Sequence, residues 1–299
     1  MPTVKANGLS FAYDSFGDPA HPPMLLVMGL GAQMILWPDA LCQELAAGGY
    51  HVIRFDNRDI GLSDKLDHLG RPNLLRAGLA HALRLPLRAP YRLDDMARDT
   101  LAVMDALGLK AVHLVGLSMG GMIAQLVAVQ APQRLLSLTL IMTSSGNRRL
   151  PGPSLQLQRR LVSRPEGRGR EAMVRHAMRT WQLIGSPGFP PDLQELRLRM
   201  EAQHDRSFHP RGVARQTLAI LASPSRAPLL DRIKTPTLVI HGDADPLVPV
   251  AAGRELGRRI PGARLEIVPG MGHDLPTPLL PRFASMILEH AGGPARRAA

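Results

Sequence analysis

The sequence predicts an α/β fold, with a mostly parallel, doubly wound sheet, helices on both faces and a helical cap inserted late in the sheet. Short apolar runs that are typical of buried strands alternate with helix-like stretches through the first half of the chain. The alternation stops at residue 143 and resumes at residue 237. We therefore assign residues 1–144 and 231–299 to a core domain and residues 145–230 to the cap.

The predicted elements of the core follow one another along the chain. Asn7 and Gly8 form a hairpin turn between two short strands at residues 3–6 and 9–16. Apolar, β-prone runs predict further strands at 24–28, 51–55, 111–115, 135–142, 237–240 and 264–268. Amphipathic spacing predicts helices at 37–47, 94–107, 119–130, 250–259 and 276–290, followed by a short tail at 292–299.

Two segments depart from this alternation. Residues 65–92 hold three prolines among leucines and arginines, and we expect an insertion with at most one short helix. Residues 143–232 are rich in proline but contain amphipathic stretches at 170–184 and 191–206. These two stretches predict helices of the cap.

The composition limits the class of protein. The sequence contains no stretch of eighteen apolar residues without a charged residue, so we expect no membrane span. The first residues lack the apolar stretch of a secretory signal, which favours a cytoplasmic location. The single cysteine, Cys42, excludes an internal disulfide and a cysteine metal cluster, and we expect it to be buried. No metal or cofactor is indicated, and the sequence leaves monomer and homodimer open.

The formal charge of +11 raises the hypothesis of a polyanionic partner. The arginines, however, are spread over residues 54–92, 134–175, 195–215 and 254–264 and form no single block. Aromatic residues make up only 4% of the chain, which leaves few surfaces on which bases could stack. We interpret the arginines as a solvated surface and expect no nucleic-acid partner. Arginines clustered on one face, with salt-dependent association, would favour nucleic acid or an anionic membrane.

The most informative stretch is the strand-to-helix junction around Gly116-Leu117-Ser118-Met119-Gly120. Gly-x-Ser-x-Gly after an apolar strand and before a helix is the pattern of a nucleophile elbow, which exposes the serine hydroxyl on a strained turn. The two glycines are needed because the strand and the helix pass too closely for a Cβ. A glycine-rich packing turn is the alternative interpretation, so Ser118 needs support from elsewhere.

A serine nucleophile needs a general base and an acid that orients the base. His273 lies in a glycine-containing loop directly after a predicted strand, whereas other histidines lie within strands or at a helix end. The preceding strand is followed by Asp243 and Asp245. We favour Asp245 as the acid because Pro246 fixes the turn beyond it, while Asp243 resembles a turn-forming residue. The order Ser118, Asp245, His273 is the one that this type of fold requires.

Two backbone N–H groups are predicted to form an oxyanion hole, which stabilises the charge of a tetrahedral intermediate. One belongs to Met119, and the other to Leu30 in the loop Gly29-Leu30-Gly31. A substrate pocket is expected nearby, although apolar side chains more often belong to the core. Its candidate lining residues are Met34, Trp37, Met119, Met122, Met142, Met173, Trp181 and Leu247.

With these motifs, the chain resembles the α/β-hydrolases and, within them, the esterase, perhydrolase and polyketide methyl-esterase group. The resemblance rests on residues 28–31, 56–63, 116–121, 242–246 and 270–273. It implies a Ser118–Asp245–His273 triad and a structural role for Asp56, Arg58 and Gly61. Met28 replaces the histidine that more often precedes the oxyanion loop. Dehalogenases and epoxide hydrolases of this fold have an aspartate at the position of Ser118.

The leading hypothesis is therefore a serine hydrolase that cleaves carboxylic esters of small molecules through an acyl-enzyme. Lactone hydrolysis, C–C bond hydrolysis and cofactor-free perhydrolysis remain alternatives because they use the same triad. A small-molecule receptor that keeps the hydrolase fold is a further alternative, which slow or single-turnover cleavage would favour.

Overall fold

The computed structural model describes residues 1–161, 163 and 165–292. All but the first residue of the predicted tail at 292–299 lies outside the described residues. The strands are β1 (Thr3–Ala6), β2 (Leu9–Phe16), β3 (Pro23–Val27), β4 (His51–Phe55), β5 (Val112–Leu117), β6 (Leu135–Ile141), β7 (Thr237–Gly242) and β8 (Arg264–Val268). They form one sheet in the order β1-β2-β4-β3-β5-β6-β7-β8.

Only the first edge of the sheet is antiparallel. β2 pairs with β1 and with β4 in the antiparallel sense, and the remaining neighbours pair in parallel. The parallel strands therefore end at one common edge, which is where doubly wound sheets place their sites. β3 and β5 are neighbours, so the loops after residues 27 and 117 lie side by side.

Ten helices occur among the described residues. They are α1 (Asp39–Ala47), α2 (Leu74–Ala82), α3 (Leu93–Ala106), α4 (Met119–Gln130), α5 (Leu155–Leu161), α6 (Arg170–Ile184), α7 (Leu193–Arg206), α8 (Pro210–Ala222), α9 (Ala251–Arg259) and α10 (Leu280–Ala291). α10 begins four residues later than predicted, because the proline-rich stretch before it forms a short 3-10 turn at Thr277–Leu279. The insertion at 65–92 contains α2 as its single α-helix.

The two faces of the sheet are covered by different helices. One hydrophobic cluster includes Met96 of α3 and Ile123 of α4, and the other includes Leu41 of α1 and Phe283 of α10. All four side chains are at most 1% exposed. The prediction of a parallel sheet with helices on both faces is confirmed.

Between β6 and β7 the chain forms four helices, α5 to α8, which we call the cap helices. The described residues of this segment contain no strand. Domain boundaries at 144/145 and 230/231 stay a prediction. Within the described residues, no helix is long and apolar enough to cross a membrane.

The interpretation of the arginines as a solvated surface is wrong for four of them. Arg54, Arg58, Arg215 and Arg226 are all buried, with exposed fractions of 0 to 8%. Three of these are paired with carboxylates, which compensates the loss of hydration: Arg54 with Asp14, Arg58 with Asp99 and Arg215 with Asp59. Cys42 is buried as predicted, and burial raises the pKa of its thiol to about 12.

Acid is expected to destabilise the fold through His113 of β5. Burial, with a smaller effect of His290, lowers the pKa of His113 from 6.5 to about 4. The folded state therefore resists protonation of His113. The stability that the neutral ring contributes is complete above pH 6.5 and is lost as the pH falls towards 4. At about 1.4 kcal/mol per pKa unit, the loss is roughly 3 kcal/mol.

Urea denaturation at several pH values measures this effect. His113→Asn should show a shallower dependence of the free energy of unfolding on pH between about 4 and 6.5. Equal slopes in the two proteins would contradict the assignment to His113.

Candidate active site

The junction of β5 and α4 has the strained geometry that the sequence predicts. Ser118 has φ 54° and ψ −117°, a backbone conformation that residues other than glycine rarely adopt. A Cβ on Gly116 would lie 2.5 Å from the carbonyl oxygen of Gly120, and one on Gly120 would overlap the carbonyl oxygen of Val27. The backbones of α4 and β3 thus leave no room for other residues at the two glycine positions.

A hydrogen-bonded chain joins three side chains from distant parts of the sequence. His273 Nε2 lies 3.0 Å from Ser118 Oγ, and His273 Nδ1 lies 2.7 Å from Asp245 Oδ2. The arrangement fits an imidazole that donates from Nδ1 to the carboxylate and accepts from the serine hydroxyl. Such an imidazole can take the serine proton while the carboxylate stabilises the resulting charge.

The structure brings Asp245, and not Asp243, to His273. Asp245 Oδ1 accepts hydrogen bonds from the N–H groups of Leu247 and Val248, which orients Oδ2 towards the imidazole. Asp243 is exposed and accepts from the N–H of Gly270, at 2.7 Å. Asp243 therefore fixes the start of the histidine loop.

His241, at the end of β7, supports the loop of Asp245. Its side chain is fully buried, and Nε2 lies 2.7 Å from the carbonyl oxygen of Val248. Burial lowers the pKa of His241, which keeps the ring neutral beside the triad. The exclusion of His241 as the base agrees with this placement.

The predicted oxyanion loop lies beside the serine. An added Cβ on Gly29 would be 3.2 Å from the Cβ of Ser118, so this loop approaches the elbow closely. Among the described residues, the N–H groups of Leu30 and Met119 have no hydrogen-bond acceptor. Leu30 is 39% exposed, so its N–H lies in an accessible loop. Neither N–H group is thus engaged by another described residue.

The loop after β4 supports this region from within the protein. The fully buried carboxylate of Asp56 accepts from the N–H groups of Met34 and Leu62, each at 2.8 Å, and pairs with Arg206 of α7. Gly61 has φ +60°, and a Cβ there would overlap the Asp56 carboxylate. Asp56 and Gly61 have structural positions, as the resemblance implies.

The cap helices hold the predicted oxyanion loop through a residue that the sequence did not suggest. Gln216 of α8 is fully buried; its side-chain oxygen accepts from the N–H of Gly31, at 2.9 Å, and its amide donates to the carbonyl of Arg58, at 2.8 Å. Gly31 directly follows Leu30. Gln216 therefore fixes the Leu30–Gly31 peptide, which directly follows the peptide that carries the Leu30 N–H.

A buried ion pair fastens the same helix. The fully buried guanidinium of Arg215 donates to both carboxylate oxygens of Asp59, at 2.9 and 2.7 Å, and the Tyr91 hydroxyl donates to the same carboxylate. Burial alone would raise the pKa of Asp59, but hydrogen bonds from Arg215, the Leu66 N–H and Tyr91 outweigh it and lower the pKa. Asp59 thus stays charged and paired.

The cap also contacts the histidine loop. The N–H of His273 donates to the carbonyl of Ile184, at 2.7 Å, at the end of α6. Ser186 is buried; its hydroxyl donates to Asp274, at 2.5 Å, and accepts from the N–H of Gly272, at 2.8 Å. The cap helices therefore support two loops of the site, a role beyond shaping a pocket.

The eight predicted pocket residues differ in exposure. Met34, Trp37, Met119 and Met142 are 0% exposed and Met122 is 9% exposed. Trp37 and Met142 belong to the core cluster beneath α1 and α10, so their burial does not support a lining role. Met173, Trp181 and Leu247 are partly exposed. A substrate pocket lined by residues of this set stays a prediction.

Replacing Gln216 by methionine is expected to lower kcat about tenfold with little change in KM. The variant leaves the Gly31 N–H and the Arg58 carbonyl without their buried partner, at a cost of about 1–3 kcal/mol, and loosens the loop beside Leu30. Steady-state kinetics on a soluble ester, with the melting temperature of each variant, measure the effect. Thr217→Val is the control, because the Thr217 hydroxyl bonds only within α8, to Val213. Equal kinetics of the two variants would remove Gln216 from any role in positioning.

Comparisons with known proteins agree with this geometry. The family model described as the alpha/beta hydrolase fold matches residues 22–276. Rhodomycin D methylesterase of Streptomyces sp. (strain C5) is 34% identical over 97% of this chain and 98% of its own. The corresponding methylesterase of Streptomyces peucetius is 33% identical over the same shares. The crystal structure of a hydrolase from Pseudomonas aeruginosa matches with a TM-score of 0.72 and 26% identity, over 97% of both chains.

These relatives confirm the predicted resemblance to α/β-hydrolases and to polyketide methyl esterases. They also support ester hydrolysis as the general class of reaction. The chain therefore belongs to the α/β-hydrolase fold family, and it is an enzyme of the carboxylic-ester hydrolase class.

Proposed function

We propose that this enzyme hydrolyses methyl esters of carboxylic acids through an acyl-enzyme on Ser118. The observation that carries the proposal is the hydrogen-bonded chain from Asp245 through His273 to Ser118, at 2.7 and 3.0 Å, on the strained elbow. The methyl ester as substrate class is supported by the two methylesterases that match nearly the whole chain.

In the first half of the reaction, Ser118 Oγ attacks the ester carbonyl carbon while His273 Nε2 takes the hydroxyl proton. The carbonyl oxygen becomes an oxyanion, and the N–H groups of Leu30 and Met119 donate to it. His273 then gives its proton to the departing methoxide oxygen. Methanol leaves, and the acyl group remains on Ser118.

In the second half, water replaces methanol. His273 takes a proton from the water, whose oxygen attacks the acyl carbon. Collapse of the second tetrahedral intermediate returns the proton to Ser118 and releases the carboxylic acid. Asp245 keeps Nε2 of His273 directed at the serine and stabilises the imidazolium in both halves.

Hydrolysis in ¹⁸O-water tests the reaction. We expect the methyl ester of an aromatic polyketide acid to give unlabelled methanol and an acid with one ¹⁸O. Mass spectrometry of quenched enzyme should find the acyl group on the peptide that contains Ser118. Label in the methanol, or no cleavage of methyl and p-nitrophenyl esters, would overturn the proposal.

The alternatives are separated by their substrates. A panel of p-nitrophenyl esters of increasing length, a lactone, and hydrogen peroxide with acetate distinguishes esterase, lactonase and perhydrolase activity. A burst of one product per protein without turnover would favour a receptor.

A further inference from the structure

Helix α2 exposes a row of leucines on the side away from the protein. Its packed side contains Ala77, which is 6% exposed, and His81, whose ring lies 3.0 Å from the carbonyl oxygen of Leu221 on α8. Leu75, Leu79 and Leu83 are 76, 63 and 60% exposed. At four-residue spacing they share one face, and Leu79 lies roughly 160° around the helix from Ala77. Among the described residues, no other part of the chain covers this row.

Unpaired arginines flank this row in the sequence. Arg71, Arg76, Arg84, Arg88 and Arg92 are all exposed, and residues 68–93 contain no aspartate or glutamate. In the part of the chain that the structure describes, no carboxylate pairs with any of the five. We call residues 71–92 the leucine–arginine surface.

Of the acidic residues at its two ends, Asp67 and Asp95 are engaged by arginines, and Asp94 accepts from the side-chain amide of Gln130, at 3.5 Å. Asp67 accepts from Arg215, at 3.2 Å, and Asp95 accepts from the N–H of Arg92, at 2.7 Å, and pairs with Arg98. A further cation, Arg148, reaches the surface from the start of the cap and donates to the carbonyl of His81. The surface is thus positive and apolar together.

We propose that the leucine–arginine surface docks the enzyme onto an anionic lipid bilayer. An amphipathic helix with leucines on its outer face and basic side chains around them lies in the lipid interface, with the apolar side chains among the acyl chains and the cations at the headgroups. The row of leucines would bury apolar area that is otherwise in contact with water.

The arginines argue against a second copy of this chain as the occupant, and the leucines argue against nucleic acid. A second copy of this chain would place five unpaired arginines against five, which is repulsive. Nucleic acid would neutralise the arginines, but its phosphates offer nothing to the leucines. An anionic bilayer satisfies both groups of side chains.

The exposed leucines of α7 lack this setting. On α7, Leu193 and Leu198 are 55 and 59% exposed, but the neighbouring Arg197 and Arg199 are paired with glutamates of α6 and α7. Leu193 and Leu198, with Leu183 of α6 at 48% exposure, therefore provide a matched set of control positions.

Sedimentation with vesicles tests the docking. The enzyme is mixed with vesicles of phosphatidylcholine alone or with about 30% phosphatidylglycerol, in about 0.1 M and 0.5 M NaCl. We expect binding to the anionic vesicles, weakened by salt, and little binding to the neutral vesicles. The triple variant Arg76→Gln, Arg84→Gln, Arg88→Gln should bind about a hundredfold more weakly, at roughly fivefold per arginine.

The triple variant Leu75→Ser, Leu79→Ser, Leu83→Ser should also lose binding, whereas Leu183→Ser, Leu193→Ser, Leu198→Ser should bind as the wild type does. Arg254→Gln, Arg258→Gln, Arg282→Gln is the control for net charge, since these three arginines are exposed and lie on α9 and α10. Circular dichroism and melting temperature check that each variant is folded.

Three outcomes would overturn the proposal. The first is no binding to anionic vesicles, and the second is equal weakening by the control and surface variants. The third is a wild-type dimer in light scattering that Leu75→Ser, Leu79→Ser, Leu83→Ser converts to a monomer, which would assign the surface to a second copy. The proposal is established if binding requires the anionic lipid, the arginines and the leucines of this surface.

Discussion

Replacing Ser118 by alanine is expected to lower kcat for ester hydrolysis by about 10⁴- to 10⁶-fold, with no loss of folded protein. The variant removes the atom that would carry the acyl group, 3.0 Å from His273 Nε2. The available N–H groups of Leu30 and Met119 stay in place, so residual catalysis by water is possible. Initial rates on a soluble p-nitrophenyl ester, with the melting temperature, measure both expectations.

A nearby serine provides the control for this variant. Ser144 follows β6, and its hydroxyl accepts only from the N–H of Gly146, at 3.3 Å. Ser144→Ala should keep its activity and its reaction with a fluorophosphonate probe, while Ser118→Ala should lose both. Retained turnover in Ser118→Ala would remove the serine from the mechanism.

Replacing Asp245 by asparagine is expected to cost about 10⁴-fold in kcat. An amide can accept from the N–H groups of Leu247 and Val248, so the loop should keep its shape. It cannot stabilise the charged imidazole, and its NH₂ group favours the tautomer in which His273 Nδ1 is the acceptor.

Asp243→Asn is the matched variant in the same loop. Its side-chain oxygen can still accept from the Gly270 N–H, so we expect less than about a tenfold change in kcat. The reverse ranking of the two variants would transfer the role of the acid to Asp243.

The parts of the site that depend on local pattern could be predicted from the sequence. The strained turn at Ser118 requires small residues on either side, so Gly116 and Gly120 identify it without any tertiary information. Asp245 and His273 each follow a strand of a parallel sheet, and the ends of such strands meet at one edge. Their order along the chain and their positions in loops after strands were therefore the basis for selecting them.

The contribution of the cap could not be predicted in the same way. α8 begins with Pro210, and a proline can mark the start of a helix. In a segment with many prolines this signal does not stand out. Arg215 and Gln216 are polar residues, and nothing in their spacing shows that they are buried against loops more than 150 residues earlier. Their partners are defined only by the tertiary fold.

These contacts have a consequence for the redesign of this enzyme. Because Gln216, Arg215 and Ser186 bond to Gly31, Asp59 and Asp274, a transplanted cap without these three residues would leave the three loops unsupported. Chimeras with crossovers at the ends of β6 and β7 would lose activity on every substrate, large or small. In a recombination library, the cap and the loops at 29–34, 56–64 and 270–274 should therefore be taken from the same parent.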